Sequence, residues 1–126
     1  MNDSHTPYAA QQVLDLWFGT PDSADYGQPR KVWFAQDDDF DAEIRKQFAG
    51  LHKSASHGML DHFWKDVALP NLALVIVLDQ FSRQLYRGEA KAFAQDAHAL
   101  QVAKHAIDQG FDRDKLPVQR LFWYLP

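Results

Sequence analysis

The stretch from Pro70 to Gly88, PNLALVIVLDQFSRQLYRG, constrains the fold more than any other part of the chain. Its first half, Leu72 to Leu78, has no polar face. Its second half adds Asp79, Gln80, Arg83 and Arg87 without leaving helical register. The β-branched run Val75-Ile76-Val77 would also suit a buried strand. However, the apolar pattern continues at helical spacing to Phe81, Leu85 and Tyr86, and no alternating partner strand exists elsewhere. Pro70 to Gly88 therefore reads as a central helix that starts at a proline and stops at a glycine.

The flanking segments repeat this punctuation. Thr6-Pro7 reads as an N-cap followed by proline at the first helical position. Ala10, Val13, Leu14, Trp17 and Phe18 share one face, which predicts a helix over 7–18 stopped by Gly19. Residues 19–30 hold two Gly and two Pro and read as a loop. Lys31 to Phe34 fits either a short helical turn or an extended piece, with Trp33 and Phe34 anchoring the loop to the core. Asp37-Asp38-Asp39 opens an amphipathic helix over 38–57, with Phe40, Ile44, Phe48, Leu51 and Ala55 inward, His52 outside the stripe and Gly58 as the stop. A short helical piece within 59–69 turns Leu60, Phe63 and Trp64 inward. A fourth long helix over 95–109 places Asp96, Leu100, Ala103 and Ile107 on one face. Pro117 starts a last segment with Val118, Leu121, Phe122 and Leu125 in a stripe. Short joins make sequential helices antiparallel neighbours. The expectation is an all-α single domain over 1–126.

The last six residues, LFWYLP, are dense in apolar side chains and end without a polar exit. Such a stripe normally packs on a following element. The chain is therefore expected to lack C-terminal helices, or else to dock this segment back on itself or on a second copy in a homo-oligomer.

Composition removes several classes of function. The net charge is -4 and no Lys/Arg block occurs, which argues against nucleic acid as a partner. There is no cysteine, so disulfides, zinc-thiolate sites and cysteine nucleophiles are excluded. The N-terminus MNDSHTPY lacks the basic-then-apolar order of a signal peptide. Leu72 to Leu78 is far short of the roughly 20 apolar residues a membrane helix requires. A cytoplasmic location is expected, with no membrane partner and no cofactor.

The chemistry concentrates on the second half of the central helix. On a helical wheel Asp79, Gln80, Arg83 and Arg87 lie within roughly 80–100° of one another, on the arc that holds Leu72 and Ile76 in the preceding turns. Polar groups on such an arc belong at the mouth of a groove or inside the fold, where charge must be paired. Asp79 and Arg83 can pair at i, i+4. Arg87 then needs another acceptor, and Asp96, Glu89, a carboxylate beyond the chain end and an anionic ligand are the candidates. Three roles fit: a structural Asp–Arg network, a pocket in which Gln80, Arg83 and Arg87 hold a carboxylate or phosphate, or catalysis with Asp79 as general base. No second acid–base group is fixed beside Asp79.

The six histidines make no metal signature. His98 and His105 share a face but lie about 10 Å apart along a helix. His52, His57 and His62 do not keep to one face, and no HxxxH or HExxH occurs. Most of these histidines read as solvated, and no metal site is expected. Asp37-Asp38-Asp39, with Asp41 and Glu43, reads as helix-start capping on a solvated face rather than as a cation loop. Among the aromatics, Trp33 and Tyr26 are the candidates to line a cleft. There is no phosphate-binding Gly loop and no GxSxG elbow.

The segment from Leu72 through Asp79-Gln80-Phe81, Arg83 and Tyr86-Arg87-Gly88 resembles an uncharacterised bacterial family, domain-of-unknown-function family nine hundred and twenty-four. Val13-Leu14, Trp17-Phe18-Gly19, Trp33-Phe34, Phe40 to Phe48, Ala92 to Asp96, Ala99-Leu100 and Arg120 to Pro126 extend the resemblance over nearly the whole chain. It implies an all-helical fold similar to tetratricopeptide-repeat superhelices and brings no established activity. Ser82 stands where the family usually has Pro, and Gln84 where Asn is usual. Family members usually continue past the final Leu-Pro into a His-Ser-Glu stretch and further helices. The sequence is thus expected to encode an uncharacterised helical binding or scaffold module. Its groove, lined by Asp79, Gln80, Arg83, Arg87 and Asp96, would take an anionic small molecule or peptide. The alternative is a hydrolase-like enzyme that combines Asp79 with residues beyond Pro126.

Overall fold

A computed structural model describes residues 6–126, and its regular structure is entirely helical. The longer elements are α1 (Tyr8–Phe18), α2 (Asp38–Ser56), α4 (Ala68–Val75), α6 (Asp96–Asp108) and α7 (Pro117–Tyr124). The shorter ones are α3 (Asp61–Trp64) and α5 (Ser82–Leu85), with 3₁₀ turns at Lys31–Trp33 and Ala90–Phe93. Between α4 and α5 the helix widens into a π segment, Ile76–Phe81, so 68–85 is one central helix with an altered middle. Met1–His5 lie outside the described residues, and with them most of the polar N-terminus weighed above.

The central helix is the hub because its apolar run has no face to give to water. Every side chain from Leu72 to Leu78 is fully buried. Burial of each large aliphatic side chain contributes about 1.5–3 kcal/mol, and a helix apolar all round must be enclosed. The neighbours supply that enclosure: α1, α3, α6 and α7 pack on α4, while α2 packs on the π segment and α5.

One aromatic cluster joins the chain's two ends. Trp17 lies at its centre, with its ring centroid 6.2 Å from Trp33, 5.8 Å from Phe40, 5.8 Å from Phe81 and 5.4 Å from Phe122. Gly19 at φ +83° turns the chain out of α1. The loop then returns to satisfy the orphan carbonyls of that helix. Arg30 Nη1 donates to Leu16 O at 2.8 Å and Trp17 O at 2.7 Å, and Trp33 Nε1 donates to Trp17 O at 2.8 Å.

A buried amide ties three elements together. Asn71 Nδ2 donates to Lys65 O (2.8 Å) and Val102 O (3.2 Å), and its Oδ1 accepts from Trp123 Nε1 (2.8 Å). Asp37 caps α2 by accepting from the Phe40 amide at 3.0 Å. Gln119 reaches back to the Leu116 amide at 3.0 Å and steadies the start of α7.

Several expectations are corrected. Pro7, not Thr6, occupies the N-cap of α1, and no side chain caps it. The central helix begins at Ala68, with Pro70 inside its first turn, where an amide donor is not required. Phe34 and Phe63 are exposed, while their neighbours Trp33 and Trp64 take the buried positions. In α6 the buried face is Ala99, Val102, Ala103 and Ala106, with Leu100 at its edge and Ile107 exposed. Short side chains let α6 approach α4 closely, and the larger ones are left at the rim. Trp123 of α7 is buried, where its Nε1 reaches Asn71, and Leu125, just past the helix, is exposed. Tyr26 does line a small cleft, of about 160 Å³, beside Leu14 and Phe18.

Candidate functional site: the polar end of the central helix

Asp79 and Gln80 stand on the π segment. A π turn takes in extra residues, so side chains after it no longer follow the wheel of a straight α-helix. Asp79 and Gln80 are buried, whereas the Arg83 and Arg87 side chains are 32% and 33% exposed. The two arginines reach the surface and address different neighbours.

Arg83 Nη1 donates to Asp79 O (2.7 Å), Ala92 O (3.1 Å) and Asp96 Oδ1 (3.1 Å). Its approach to the Asp79 carboxylate is looser, at 3.8 Å. Asp79 Oδ2 instead accepts from Gln80 Nε2 at 2.7 Å. Burial raises the Asp79 pKa; the Arg83 charge and the Gln80 hydrogen bond oppose that rise, and Asp96 adds to it. Asp79 is thus a carboxyl group held against its ordinary ionisation, with one amide and one distant guanidinium beside it.

Arg87 finds an acceptor that was not among the candidates. Its Nε and Nη2 grip Asp41 of α2 at 2.5 and 3.0 Å, in a two-pronged pair. Asp41 is buried, so its place on a solvated helix-start face is corrected. The hydrogen bond to Asp41 is the largest cause of the raised Arg87 pKa. Asp96 goes to Arg83, and Glu89 makes no ion pair among the described residues. The sequence does place an acid near the start of α2. Only the packing of α2 on α5 shows that Asp41 is the one turned inward.

The arginines are not used up. Each guanidinium has five N–H groups. Among the described residues Arg83 Nε and Nη2, and Arg87 Nη1, have no acceptor. Both arginines line a cleft of about 330 Å³ with Gln36, Gly88, Ala92 and Phe93. The Arg83 guanidinium carbon lies 5.0 Å from the centroid of the exposed Phe93 ring. A second depression, of about 390 Å³, shares Gln36 and Arg87 and is bounded by Asp38, Asp41, Arg45, Gln84 and Glu89. Gln84 Oε1 is buried in this wall without a donor.

The histidines depart from the sequence reading. His52 is buried, with its Nε2 2.7 Å from Ser82 Oγ, and burial lowers its pKa. His98 pairs with Asp61 at 2.9 Å and His105 with Asp66 at 2.7 Å, linking α6 to α3 and to the segment after it. These three are therefore engaged rather than free in solvent. No group of three or more His, Asp or Glu side chains able to hold a metal ion occurs among the described residues. Among the described residues no helix is long and apolar enough to cross a membrane.

Helices packed around a π-interrupted hub, with Asp79 and Gln80 buried and Arg83 and Arg87 reaching the surface at its polar end, define an all-α protein. The chain belongs to the family described as "Bacterial protein of unknown function (DUF924)", whose model matches residues 13–126. Its structure is similar to that of a protein of unknown function from Agrobacterium tumefaciens, with a TM-score of 0.78 and 35% sequence identity. The match covers 93% of this chain and 61% of that one, so the chain spans less than two thirds of its neighbour's length. No curated protein matches it.

Proposed function

We propose that the protein is a helical binding module whose ligand presents a carboxylate to Arg83 and Arg87. The observation that carries this is the pair of half-engaged guanidinium groups lining one cleft beside Phe93. Arg83 and Arg87 are held by Asp96 and Asp41, so the cleft has little net positive charge. Recognition then depends on directed N–H donors more than on field strength, which favours a single planar carboxylate over a multiply charged phosphate. The Phe93 ring offers an apolar wall to the rest of the ligand. A peptide carboxy-terminus has both features the cleft would recognise, a carboxylate and an apolar side chain beside it.

The test is a melting-temperature screen of carboxylate metabolites and short peptides, each peptide with a free and an amidated C-terminus. Every ligand-induced shift is measured against the ligand-free midpoint of the same variant. The expected result is a free-carboxylate ligand that stabilises the wild type, loses its effect on amidation, and loses it again in Arg87→Ala. Equal shifts in wild type and variant, or none across the panel, contradict the proposal.

A further inference from the structure

Another cleft lies beside the end of the central helix. It measures about 480 Å³ and runs between the last turns of α2 and the turn that follows α5. Its walls include His52, Lys53, His57, Tyr86 and Lys91. No carboxylate lines it, although the chain as a whole carries a charge of -4. Lys53 and Lys91 make no ion pair among the described residues, in contrast to Arg83 and Arg87. The Lys91 ammonium lies 5.2 Å from the centroid of the Tyr86 ring, which directs it along the cleft wall rather than toward an acid.

The floor of the cleft is His52. Ser82 Oγ has a single proton, and that proton goes to Leu78 O at 2.7 Å. His52 Nε2 must therefore be the donor in its 2.7 Å contact with Ser82 Oγ. This fixes the tautomer of the neutral ring and leaves Nδ1 as an acceptor, with no hydrogen-bond partner among the described residues. The cleft thus combines an oriented acceptor on a largely buried ring with two ammonium groups that no carboxylate pairs. Its volume is in the range of small-ligand sites, roughly 300–1,000 Å³.

We infer that this cleft is an anion site for a small phosphomonoester, separate from the arginine cleft. Lys53 and Lys91 supply two compact positive charges, which suit a phosphate dianion better than a planar carboxylate. His52 Nδ1 accepts from a hydroxyl or N–H on the remainder of the ligand. Inorganic phosphate offers the same dianion without that remainder.

Glycerol 3-phosphate, inorganic phosphate, succinate and sodium chloride at matched ionic strength are titrated into the ¹⁵N-labelled full chain. The variants are Lys53→Ala/Lys91→Ala and Arg87→Ala, with folding checked by circular dichroism. Glycerol 3-phosphate is expected to give saturable amide shifts at His52, Lys53 and Lys91. Inorganic phosphate should follow more weakly, and succinate and chloride should not saturate. The double lysine variant, whose side chains are exposed and unpaired, should stay folded and bind at least ten-fold more weakly. Arg87→Ala should bind as the wild type does, which separates this site from the carboxylate cleft. Shifts that track ionic strength alone, saturation by succinate equal to that by glycerol 3-phosphate, or unchanged binding in the double variant would each overturn the inference.

Discussion

Removing the Arg87 guanidinium tests the energetics of the seam directly. In Arg87→Ala the buried Asp41 carboxylate loses both prongs of its pair, at 2.5 and 3.0 Å, and no other basic group is bonded to it. Breaking a fully buried pair from one side costs about 3–5 kcal/mol, because a charge is left without solvent or partner. The Arg87 side chain is 33% exposed, so water can enter the space it leaves and hydrate part of that charge. Exposed pairs contribute only about 0–1 kcal/mol, and this one falls between the two cases, at about 2 kcal/mol. For a chain of 126 residues that corresponds to a midpoint lower by about 6–10 °C. Urea unfolding followed by circular dichroism should show a reduced midpoint with an unchanged m-value. Asp41→Ala should cost less, since Arg87 can turn to water, whereas a buried carboxylate cannot. The double variant should be more stable than the sum of the two single losses predicts, with a coupling of about 1–2 kcal/mol. A loss below about 0.5 kcal/mol in Arg87→Ala, together with no coupling, would show that the pair behaves as a surface contact and refute the reasoning.

Two further outcomes follow from buried polar groups. Burial raises the Asp79 pKa above its ordinary 3.8, so the folded state holds that proton more tightly than the unfolded chain does. The Asp79 contribution to stability is therefore most favourable at low pH and declines as pH rises through the folded pKa. Asp79→Asn removes this dependence, and its stability relative to wild type should increase as the pH of urea titrations is raised above the ordinary carboxylate range; the opposite trend would contradict it. Trp123→Phe deletes the donor to Asn71 Oδ1, leaves a buried acceptor unpaired and opens a small void. It should cost about 1–3 kcal/mol in unfolding followed at 222 nm, and a neutral result would mean that Asn71 finds another donor.

The candidate site was only partly legible in the sequence. Asp79, Gln80, Arg83 and Arg87 stand out because charge interrupts an apolar run at helical spacing. Asp41 does not, because an acid in the first turn of a helix serves equally well as a solvated capping charge. His52 is obscured in the same way: one histidine on the flank of an amphipathic stripe gives no sign that Ser82 waits above it. The π segment leaves no mark in composition either. Residues 76–81 pack between α2 and α6, and the π segment changes the direction in which each later side chain points.

By itself, the sequence determined the helices, their approximate ends and the chain's hub. Those depend on local terms: apolar periodicity, acids and prolines at starts, and glycines at or just past stops, of which Gly19, Gly58, Gly88 and Gly110 adopt positive φ. Tertiary structure alone decided the partners. Whether Arg87 meets Asp41, Asp96 or Glu89, and whether Lys53 and Lys91 face a cleft without acids, depends on residues distant in sequence. Their juxtaposition follows from packing geometry, to which no local pattern gives access. The Pro70–Gly88 stretch was bound to be buried in its first half; what its charged half touches was settled only when α2 and α6 closed on it.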